Sequence, residues 1–356
     1  MKIALYNMHF DTLGGGERRT AALAAHLAKK HTVTLFVHAP VEPSLVSQVF
    51  GIDLRGVDIV SLMGIDHDAA IQRFQADLFI NNSQASPLAN PARFGIYMCM
   101  FPIDYPIDLR SYQCVTANSR FTADWIKVKW GYDAEVVWSA CEDFGSGARK
   151  EKIILNVGRF FADVPGAHHK RQDVLLRAFR RMVDDGAWDW RLHLIGNVQD
   201  NAADQAFVDG LRKAAAGYPV RIRPSIPFED LRSSYRRSSI YWHATGHGTD
   251  AALDPAKQEH FGMAIVEAMS TGAVPLAFNS GGPRETIEHG KSGYLWNDEW
   301  EFARLTRHLM ENPADRHAMS LAAVYRSQSF NAGEFFARIE AIVERFDGQA
   351  TSFRRP

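Results

Sequence analysis

Short apolar runs rich in β-branched residues alternate with helical patterns along the whole chain. This alternation is typical of parallel sheets covered by helices on both faces, because each crossover between parallel strands carries a helix. In the first half of the chain we expect strands at Lys2 to Asn7, Thr32 to His38, Val57 to Leu62, Asp77 to Asn82, Phe94 to Met100, Gln113 to Ala117 and Ala134 to Trp138. The pattern predicts a doubly wound α/β fold.

The chain changes character at the small and polar stretch Gly145 to Lys152, which has the composition of a linker. After it we expect strands at Ile153 to Gly158, Arg191 to Ile195, Val220 to Arg223, Ile240 to Ala244 and Val274 to Phe278. We therefore predict two Rossmann-like domains, residues 1–147 and 148–331, facing a ligand-binding cleft. A helical segment, residues 332–356, is predicted to pack across both domains.

Charge, cysteine content and hydropathy exclude several classes of protein. The 40 Lys and Arg residues are balanced by 41 Asp and Glu residues, which gives no overall attraction for nucleic acid. The 3 cysteines do not have the spacing of a disulfide framework or a zinc site. The N-terminus lacks a signal-peptide pattern, and no apolar run approaches the ~18 residues of a membrane span. We expect a soluble cytoplasmic protein that is, at most, peripheral at the inner face of the membrane.

The glycines Gly14-Gly15-Gly16 separate the first predicted strand from the helix that follows it. Glycines let backbone amides approach a ligand closely, and the start of a helix carries a partial positive charge that suits phosphate. The segment is not a dinucleotide fingerprint, because Arg19 occupies the third glycine position, and it is not a P-loop. Gly15 and Gly16 are candidates for phosphate contact, and a tight strand-to-helix turn is the alternative.

Two cations are predicted to lie at one edge of the second sheet. Gly158-Arg159 ends the first strand of that sheet, and Lys170 lies at the entry to a helix beginning near Arg171. The departure of a diphosphate concentrates negative charge, which paired cations and helix dipoles stabilise. The alternative is a solvated basic face, because His168, His169 and Arg171 lie in the same stretch.

Two glutamates eight residues apart, Glu259 and Glu267, form the most specific pattern in the chain. The loop from His260 to Gly262 follows the first of them, and a helix is predicted to begin after it. Apolar residues surround Glu267, and a buried carboxylate is costly unless it accepts hydrogen bonds. Ribose hydroxyls are suitable donors to Glu267, and sugar hydroxyls to Glu259. A structural ion pair between Glu267 and an arginine such as Arg284 is the alternative.

Taken in order, these motifs resemble those of the retaining glycosyltransferase family 4, which has the GT-B fold. The resemblance covers nearly the whole chain and is greatest to bacterial group 1 enzymes and dolichol-linked mannosyltransferases. Beyond the motifs above, it is carried by Asn118-Ser119-Arg120-Phe121-Thr122, Trp242-His243-Ala244-Thr245-Gly246, Glu259-His260-Phe261-Gly262 and Ser280-Gly281-Gly282.

The resemblance implies a set of donor-binding residues: Gly15, Gly16, Gly158, Arg159, Lys170, Glu259, His260, Phe261, Gly262 and Glu267. Arg159 and Lys170 would hold the diphosphate, and Glu267 the ribose. Glu259, with the backbone that follows it, would hold the transferred sugar. Of these residues, Arg159, Lys170 and Glu259 would act in catalysis.

The resemblance also implies the reaction. The family transfers a sugar with retention of anomeric configuration and uses neither a metal nor a cofactor. The donor would be a nucleotide-diphosphate sugar, with GDP-mannose and UDP-sugars as candidates. The acceptor would be a glycan, a lipid-linked molecule or a small molecule.

Two segments depart from the family's pattern. Close relatives carry a histidine before Phe-Pro or Tyr-Pro, whereas Met100 precedes Phe101-Pro102 here. Methionine neither hydrogen-bonds a sugar hydroxyl strongly nor accepts a proton, so this branch either works without that group or is impaired in transfer. The usual proline pair is also absent after Val136-Val137, which bears on the hinge.

Three weaker patterns have simpler alternatives. Asp66-His67-Asp68 has the spacing of metal-binding carboxylates in some glycosyltransferases, but it precedes a helix, which favours capping. His243 and His247 are four residues apart, but nearby glycines predict a loop at the sugar site or the surface. The segment from Phe121 to Trp130 mixes aromatic residues with lysines, as an interfacial helix does. Its alternative, which we favour, is that Phe121, Trp125 and Val128 face the core.

Other functions are compatible with the same fold. Sugar-nucleotide epimerases and phosphorylases also bind phosphate between two doubly wound domains. A catalytically silent nucleotide-sugar-binding protein is a further alternative, suggested by Met100.

Overall fold

Two parallel sheets flanked by helices make up the computed structural model, which describes residues 1–162 and 169–352. The chain divides into two units, the first formed by Met1–Ala140 with the C-terminal helix and the second by Cys141–Asn331. The predicted α/β class, with a doubly wound sheet in each half, is confirmed.

The secondary structure follows the predicted alternation. The strands are β1 (Lys2–Asn7), β2 (Thr32–Val37), β3 (Val57–Ser61), β4 (Leu78–Asn81), β5 (Phe94–Cys99), β6 (Cys114–Ala117), β7 (Glu135–Val136), β8 (Glu151–Val157), β9 (Arg191–Gly196), β10 (Val220–Pro224), β11 (Ser238–His243), β12 (Val274–Phe278) and β13 (Tyr294–Trp296). The helices are α1 (Gly15–Leu27), α2 (Pro43–Phe50), α3 (His67–Arg73), α4 (Arg120–Trp130), α5 (Gln172–Asp184), α6 (Ala202–Ala215), α7 (Phe228–Arg237), α8 (Met263–Ser270), α9 (Pro283–Thr286), α10 (Glu299–Glu311), α11 (Pro313–Ser327) and α12 (Ala332–Ser352). Every predicted strand is present, and β13 is an addition.

The first unit contains a sheet with the strand order β3-β2-β1-β4-β5-β6-β7. Strand β1 is buried on both faces, because Leu5 packs in one apolar cluster and Ala4 in another. The strand order reverses between β1 and β4, and ligands of doubly wound sheets bind outside the carboxyl ends of the strands at such a reversal. We call this edge, after Asn7 and Asn81, the first switch point.

The second unit contains a sheet with the strand order β10-β9-β8-β11-β12-β13. Its strand β8 is likewise buried on both faces, with Ile154 in one apolar cluster and Leu155 in another. The order reverses between β8 and β11. We call the carboxyl ends of these two strands, at Val157 and His243, the second switch point.

The division between the units lies earlier than predicted. Phe144 packs in an apolar core of the second unit, where it is 1% exposed, and its backbone N–H donates to Ser270 Oγ at 3.2 Å. Residues 141–147 therefore belong to the second unit, and the predicted boundary at residues 147 and 148 needs correction. The predicted linker, Gly145 to Lys152, begins one residue after Phe144, so the prediction left this apolar side chain in the first domain.

The C-terminal helix α12 completes the core of the first unit. Phe335, Ile339 and Ile342 are buried in the same apolar cluster as the central strands of that unit. At the surface, Lys30 Nζ and Glu340 Oε1 form an ion pair at 2.8 Å. Among the described residues, none of the helices combines the length and the apolar character needed to cross a membrane.

The buried face of helix α4 differs from the predicted one. Thr122, Ile126 and Trp130, each four residues after the last, face the core, whereas Val128 is 71% exposed. The prediction that Val128 faces the core is wrong. Val128 was expected in the core because it is apolar. The buried face instead repeats every four residues and begins at Thr122, whose polar side chain hid the pattern.

Candidate functional site

The second switch point gathers residues from four different segments of the second unit. Gly158 follows β8, His243 ends β11, and Lys170 lies two residues before α5. Glu259 comes from the loop that leads to α8. Four segments that are distant in sequence therefore meet at the edge where a doubly wound sheet binds ligands.

Glu259 is the centre of this cluster. Its Oε2 atom lies 2.7 Å from Lys170 Nζ and 2.9 Å from His243 Nε2. The Lys170 and Glu259 side chains are only 17% and 13% exposed, so their charges attract each other with little screening by water. The structure thus joins Lys170 and Glu259, two of the residues that the sequence singled out.

His243 is neutral in this cluster. Burial is the main cause that lowers the pKa of His243, outweighing the hydrogen bond to Glu259, which raises it. Since a carboxylate can only accept, neutral His243 donates to Glu259 from Nε2. The cluster accordingly carries one positive and one negative charge, from Lys170 and Glu259.

The Gly158-Arg159 turn is held against the start of α5. Gln172 Nε2 donates to the carbonyl oxygens of Gly158 and Arg159 at 3.1 and 3.2 Å. A Cβ atom on Gly158 would lie 3.0 Å from Lys170 Cγ, so glycine lets the lysine chain pass close to the strand end. Arg159 is exposed, with its guanidinium 4.6 Å from the Phe161 ring centre.

The predicted basic stretch around Lys170 is described only in part, because His168 lies outside the described residues. Arg171 is bound within the unit: its Nη1 donates to the carbonyl of His247 at 2.8 Å, and its Nε lies 3.2 Å from Asp173 Oδ1. Of the described residues in this stretch, Lys170 and Arg171 are thus engaged in contacts within the unit.

Glu267 lies on α8, which begins after Gly262 as the sequence predicts. Glu267 is partly exposed, whereas the sequence suggested burial nearly all round. The apolar residues on either side of Glu267 in α8 are buried, whereas the face that carries Glu267 is in part accessible to solvent. The hydroxyl of Tyr235 donates to Glu267 Oε2 at 3.0 Å, which fixes the position of the carboxylate.

Tyr241 links the two glutamates to the end of β8. Its hydroxyl donates to the carbonyl of Val157 at 3.1 Å, and its ring stacks on Tyr235 at 6.2 Å. Burial raises the pKa of Tyr241 most, and the charges of Glu259 and Glu267 raise it further. Both carboxylates therefore lie near the same tyrosine, on the same side of the unit.

A second glycine turn shapes the backbone after Glu259. Gly282 N–H donates to the carbonyl of Glu259 at 2.7 Å, and a Cβ atom on Gly282 would lie 2.4 Å from Phe261 Cα. Phe261 is buried at 2% exposure, while His260 Nε2 lies 3.2 Å from the carbonyl of Ala256. Only glycine allows the two loops to cross so closely, which fixes the segment from Glu259 to Gly262.

The predicted glycine residues Gly15 and Gly16 lie in the first unit, at the start of α1. A Cβ atom on Gly16 would lie 3.2 Å from the terminal methyl of Met100, so the glycine turn packs on the residue that replaces the family's histidine. The Thr122 hydroxyl donates to the carbonyl of Met100 at 3.2 Å. These contacts belong to the first unit alone.

The Asp66-His67-Asp68 segment caps a helix, as the sequence favoured. Asp66 Oδ1 accepts from the backbone N–H of Ala69 at 3.0 Å, at the start of α3. His67 Nδ1 lies 3.0 Å from the Tyr6 hydroxyl. Within the described ranges, no three His, Cys, Asp or Glu side chains are grouped so that they could hold a metal ion.

Sequence reasoning missed three residues of the second switch point: His243 as a partner of Glu259, and Tyr235 and Tyr241. Considered together with His247, His243 was expected in a loop at the sugar site or at the surface, but it ends strand β11 and is 3% exposed. The available signal was its place within the predicted strand Ile240 to Ala244. The position of Tyr235, on α7, depends on packing between helices that no local pattern records.

Comparison with known proteins places these features in a family. The family model described as glycosyl transferases group 1 matches residues 142–324, which is just over half of the chain. The matched segment includes all the candidate residues of the second unit. The chain is 26% identical over 309 residues to a GDP-Man:Man(3)GlcNAc(2)-PP-Dol alpha-1,2-mannosyltransferase of Xenopus laevis, covering 81% of this chain and 58% of that protein. The protein of the same name from Homo sapiens is 26% identical, covering 70% and 52%. The chain thus spans between half and three fifths of these relatives.

Solved structures have the same fold. Anabaena HepE in complex with UDP and glucose superimposes with a TM-score of 0.72 at 16% identity, covering 97% of this chain and 100% of that one. Sucrose-phosphate synthase from Thermosynechococcus elongatus gives a TM-score of 0.70 at 15% identity, covering 98% and 100%. The fold is that of GT-B glycosyltransferases, and the chain belongs to the group 1 glycosyltransferases.

Proposed function

We propose that this protein is a retaining glycosyltransferase that moves a sugar from a nucleoside-diphosphate sugar to an acceptor hydroxyl without a metal ion. The observation that carries the proposal is the contact of Lys170 and His243 with one oxygen of Glu259, within the segment matched by the family model. A cation beside a carboxylate suits a ligand that is anionic at one end and rich in hydroxyl groups at the other.

Lys170 and Arg159 act on the diphosphate. In the reaction, the bond from the anomeric carbon to the diphosphate oxygen breaks, and its electron pair stays on the diphosphate. The acceptor oxygen bonds to the anomeric carbon, and its proton passes to the departing phosphate oxygen. Negative charge therefore grows on the diphosphate in the transition state, where the two cations stabilise it most.

The two glutamates act on hydroxyl groups. Glu259 accepts from a hydroxyl of the transferred sugar, and its bonds with Lys170 and His243 keep its carboxylate oriented. Glu267 accepts from the ribose, with Tyr235 holding it in place. Gly15 and Gly16 offer backbone N–H groups to a phosphate at the start of α1.

The relatives support the substrate classes. The Xenopus and human proteins are named for a GDP-Man donor and a dolichol-linked acceptor, and the Anabaena structure contains UDP and glucose. A protein of Streptomyces avermitilis, 28% identical over 169 residues, is named D-inositol 3-phosphate glycosyltransferase. We propose a GDP- or UDP-sugar as donor and a glycan, lipid-linked or small-molecule acceptor.

Donor binding is tested by thermal unfolding against GDP, UDP, ADP and their sugars, with a chelator present. A ligand at a hundredfold its Kd stabilises the folded state by about 2.7 kcal/mol, which a melting curve detects. Glu267→Ala should abolish the shift, whereas Glu229→Ala, which removes an exposed carboxylate of the same unit, should keep it. An unchanged shift in Glu267→Ala contradicts the site.

The reaction is tested on the donor that binds, with water as the acceptor. NMR spectra recorded as hydrolysis begins reveal the first anomer formed, and retention predicts the anomer of the donor. Inversion contradicts the retaining mechanism. Conversion of the donor into another nucleotide sugar, without release of free sugar, identifies an epimerase instead.

A further inference from the structure

The first unit contains a buried arginine that the donor site does not use. Arg19, in the second turn of α1, is 5% exposed. Its Nη2 donates to the Asn82 side-chain oxygen at 2.6 Å, and its Nε is buried without a hydrogen-bond partner. Among the described residues, Arg19 forms no ion pair. Arginine is almost never so deeply buried without a counter-charge, because removing a charge from water is costly.

The residues around Arg19 do not neutralise it. Burial lowers the pKa of Arg19 to about 10, which leaves the guanidinium charged at neutral pH. The negative charge of Glu17 raises the pKa of Arg19. The carboxylate itself is engaged elsewhere, because Glu17 Oε2 accepts from the backbone N–H of Gly14 at 2.9 Å. Asn82 is neutral, and its amide donates to the Thr20 hydroxyl at 2.7 Å. The positive charge at this position thus has no carboxylate in contact with it.

Arg19 lies at the edge of the first sheet where doubly wound folds bind ligands. Asn82 follows β4, and its backbone N–H donates to the carbonyl of Tyr6 in β1 at 2.9 Å, so Arg19 reaches the first switch point. Side chains on a helix lean toward its N-terminus, which directs Arg19 over the turn that contains Gly15 and Gly16. Gly14 has no side chain to cap the free N–H groups of that turn.

We propose that Arg19, Asn82 and the first turn of α1 bind an anionic group, a phosphate or a carboxylate, of the acceptor. This inference rests on the proposed function, because it keeps the donor at the second switch point. It assigns Gly15 and Gly16, for which the resemblance implies contact with the donor, to the acceptor's anionic group instead. It narrows the acceptor to a molecule that carries a phosphate or a carboxylate group.

Inorganic phosphate is the probe for this site. The Lys170→Met protein, whose donor site has lost its main cation, is titrated with sodium phosphate, and melting temperatures are compared with those in sodium chloride of equal ionic strength. Phosphate should raise the melting temperature in Lys170→Met, and Lys170→Met/Arg19→Met should lose that rise, with phosphate affinity at least about tenfold lower. Lys170→Met/Arg73→Met, which removes an exposed cation of the first unit, is the matched control and should keep the rise.

A phosphate response that does not depend on Arg19 overturns the proposal. A second arm separates the acceptor from the donor as the source of the anion: the wild-type protein is saturated with a nucleoside diphosphate before phosphate is added. The Arg19-dependent response should persist, and its disappearance would assign Arg19 to the donor's diphosphate and contradict the proposal. If the wild type binds no nucleoside diphosphate, the proposed function fails. The phosphate titrations of the Lys170→Met variants would still show whether Arg19 binds an anion.

Discussion

The two switch points hold their cations in opposite ways. At the second, Lys170 lies 2.7 Å from a carboxylate oxygen of Glu259. At the first, Arg19 is more deeply buried and contacts the neutral amide of Asn82. The same kind of sheet edge thus carries a paired cation in one unit and an unpaired one in the other.

This difference indicates which chemical group of a ligand each site is suited to bind. A cation that is paired before the ligand binds is held in a fixed position, and the carboxylate beside it is left to accept from sugar hydroxyls. A buried cation without such a partner is costly to the fold, and an incoming anion would offset that cost. Removing each cation should therefore have different effects on binding, catalysis and stability.

The largest expected effect is on turnover. Lys170→Met should lower the rate of sugar release from the donor by about 10²- to 10³-fold, because one group that stabilises transition-state charge is lost. Lys152→Met, which removes an exposed lysine paired with Asp189 in the same unit, is the control and should leave the rate unchanged. A rate for Lys170→Met within about threefold of the wild type would show that the paired cation takes no part in the reaction.

The comparison is sharpest in stability, where the two substitutions should have opposite signs. Lys170→Met leaves Glu259 without its cation and should lower the free energy of unfolding by about 2 kcal/mol. Arg19→Met removes a buried charge, and although Asn82 loses a donor, the folded state should gain about 1 kcal/mol. Calorimetry in phosphate-free buffer measures both, and a loss of stability in both variants would break the contrast.

A smaller effect is expected from pH. Burial holds the pKa of His243 below its ordinary value of 6.5, so the unfolded chain binds a proton before the folded protein does. The contribution of His243 to stability should be complete above pH 6.5 and decline as the pH falls through the folded pKa. His243→Gln should have a flatter stability profile below pH 6.5, and an equally steep profile in that variant would contradict the neutral assignment.

The smallest effect should come from Tyr235. Tyr235→Phe removes the hydrogen bond to Glu267 and should weaken nucleoside diphosphate binding by about 1 kcal/mol, since Glu267 loses its orientation. Tyr218→Phe, which removes a hydrogen bond to the exposed Asp184, serves as the control. Equal affinities in the two variants would mean that Glu267 does not need Tyr235.

The fold could be predicted from the sequence because both sheets are buried on two faces. Strands such as Leu78–Asn81 and Val274–Phe278 read as continuous apolar runs, which local pattern reveals. Strand Tyr294–Trp296 escaped prediction because its three residues are too short to establish a pattern. The domain boundary was predicted at residues 147 and 148, although the division lies after Ala140. A single apolar residue, Phe144, is too little to reveal in the sequence that this segment belongs to the second unit.

The candidate site could be predicted where residues share a loop or strand end, and not where they meet through packing. Lys170 and Glu259 follow from motif spacing, and the structure brings them into contact. His243 and Tyr235 join the site from β11 and α7, and their contacts depend on the order of the strands and the tilt of a helix. Arg19 was noted only as a departure from a glycine pattern, since burial without a counter-charge is invisible in a sequence.

The most direct test measures nucleoside diphosphate affinity in two variants that each lose one cation. GDP and UDP are titrated calorimetrically into the wild type, Lys170→Met and Arg19→Met under the same conditions. If the donor binds at the second switch point, Kd rises at least about tenfold in Lys170→Met and stays within about twofold of the wild type in Arg19→Met. An unchanged Kd in Lys170→Met, with a large rise in Arg19→Met, would place the donor in the other unit and contradict this assignment.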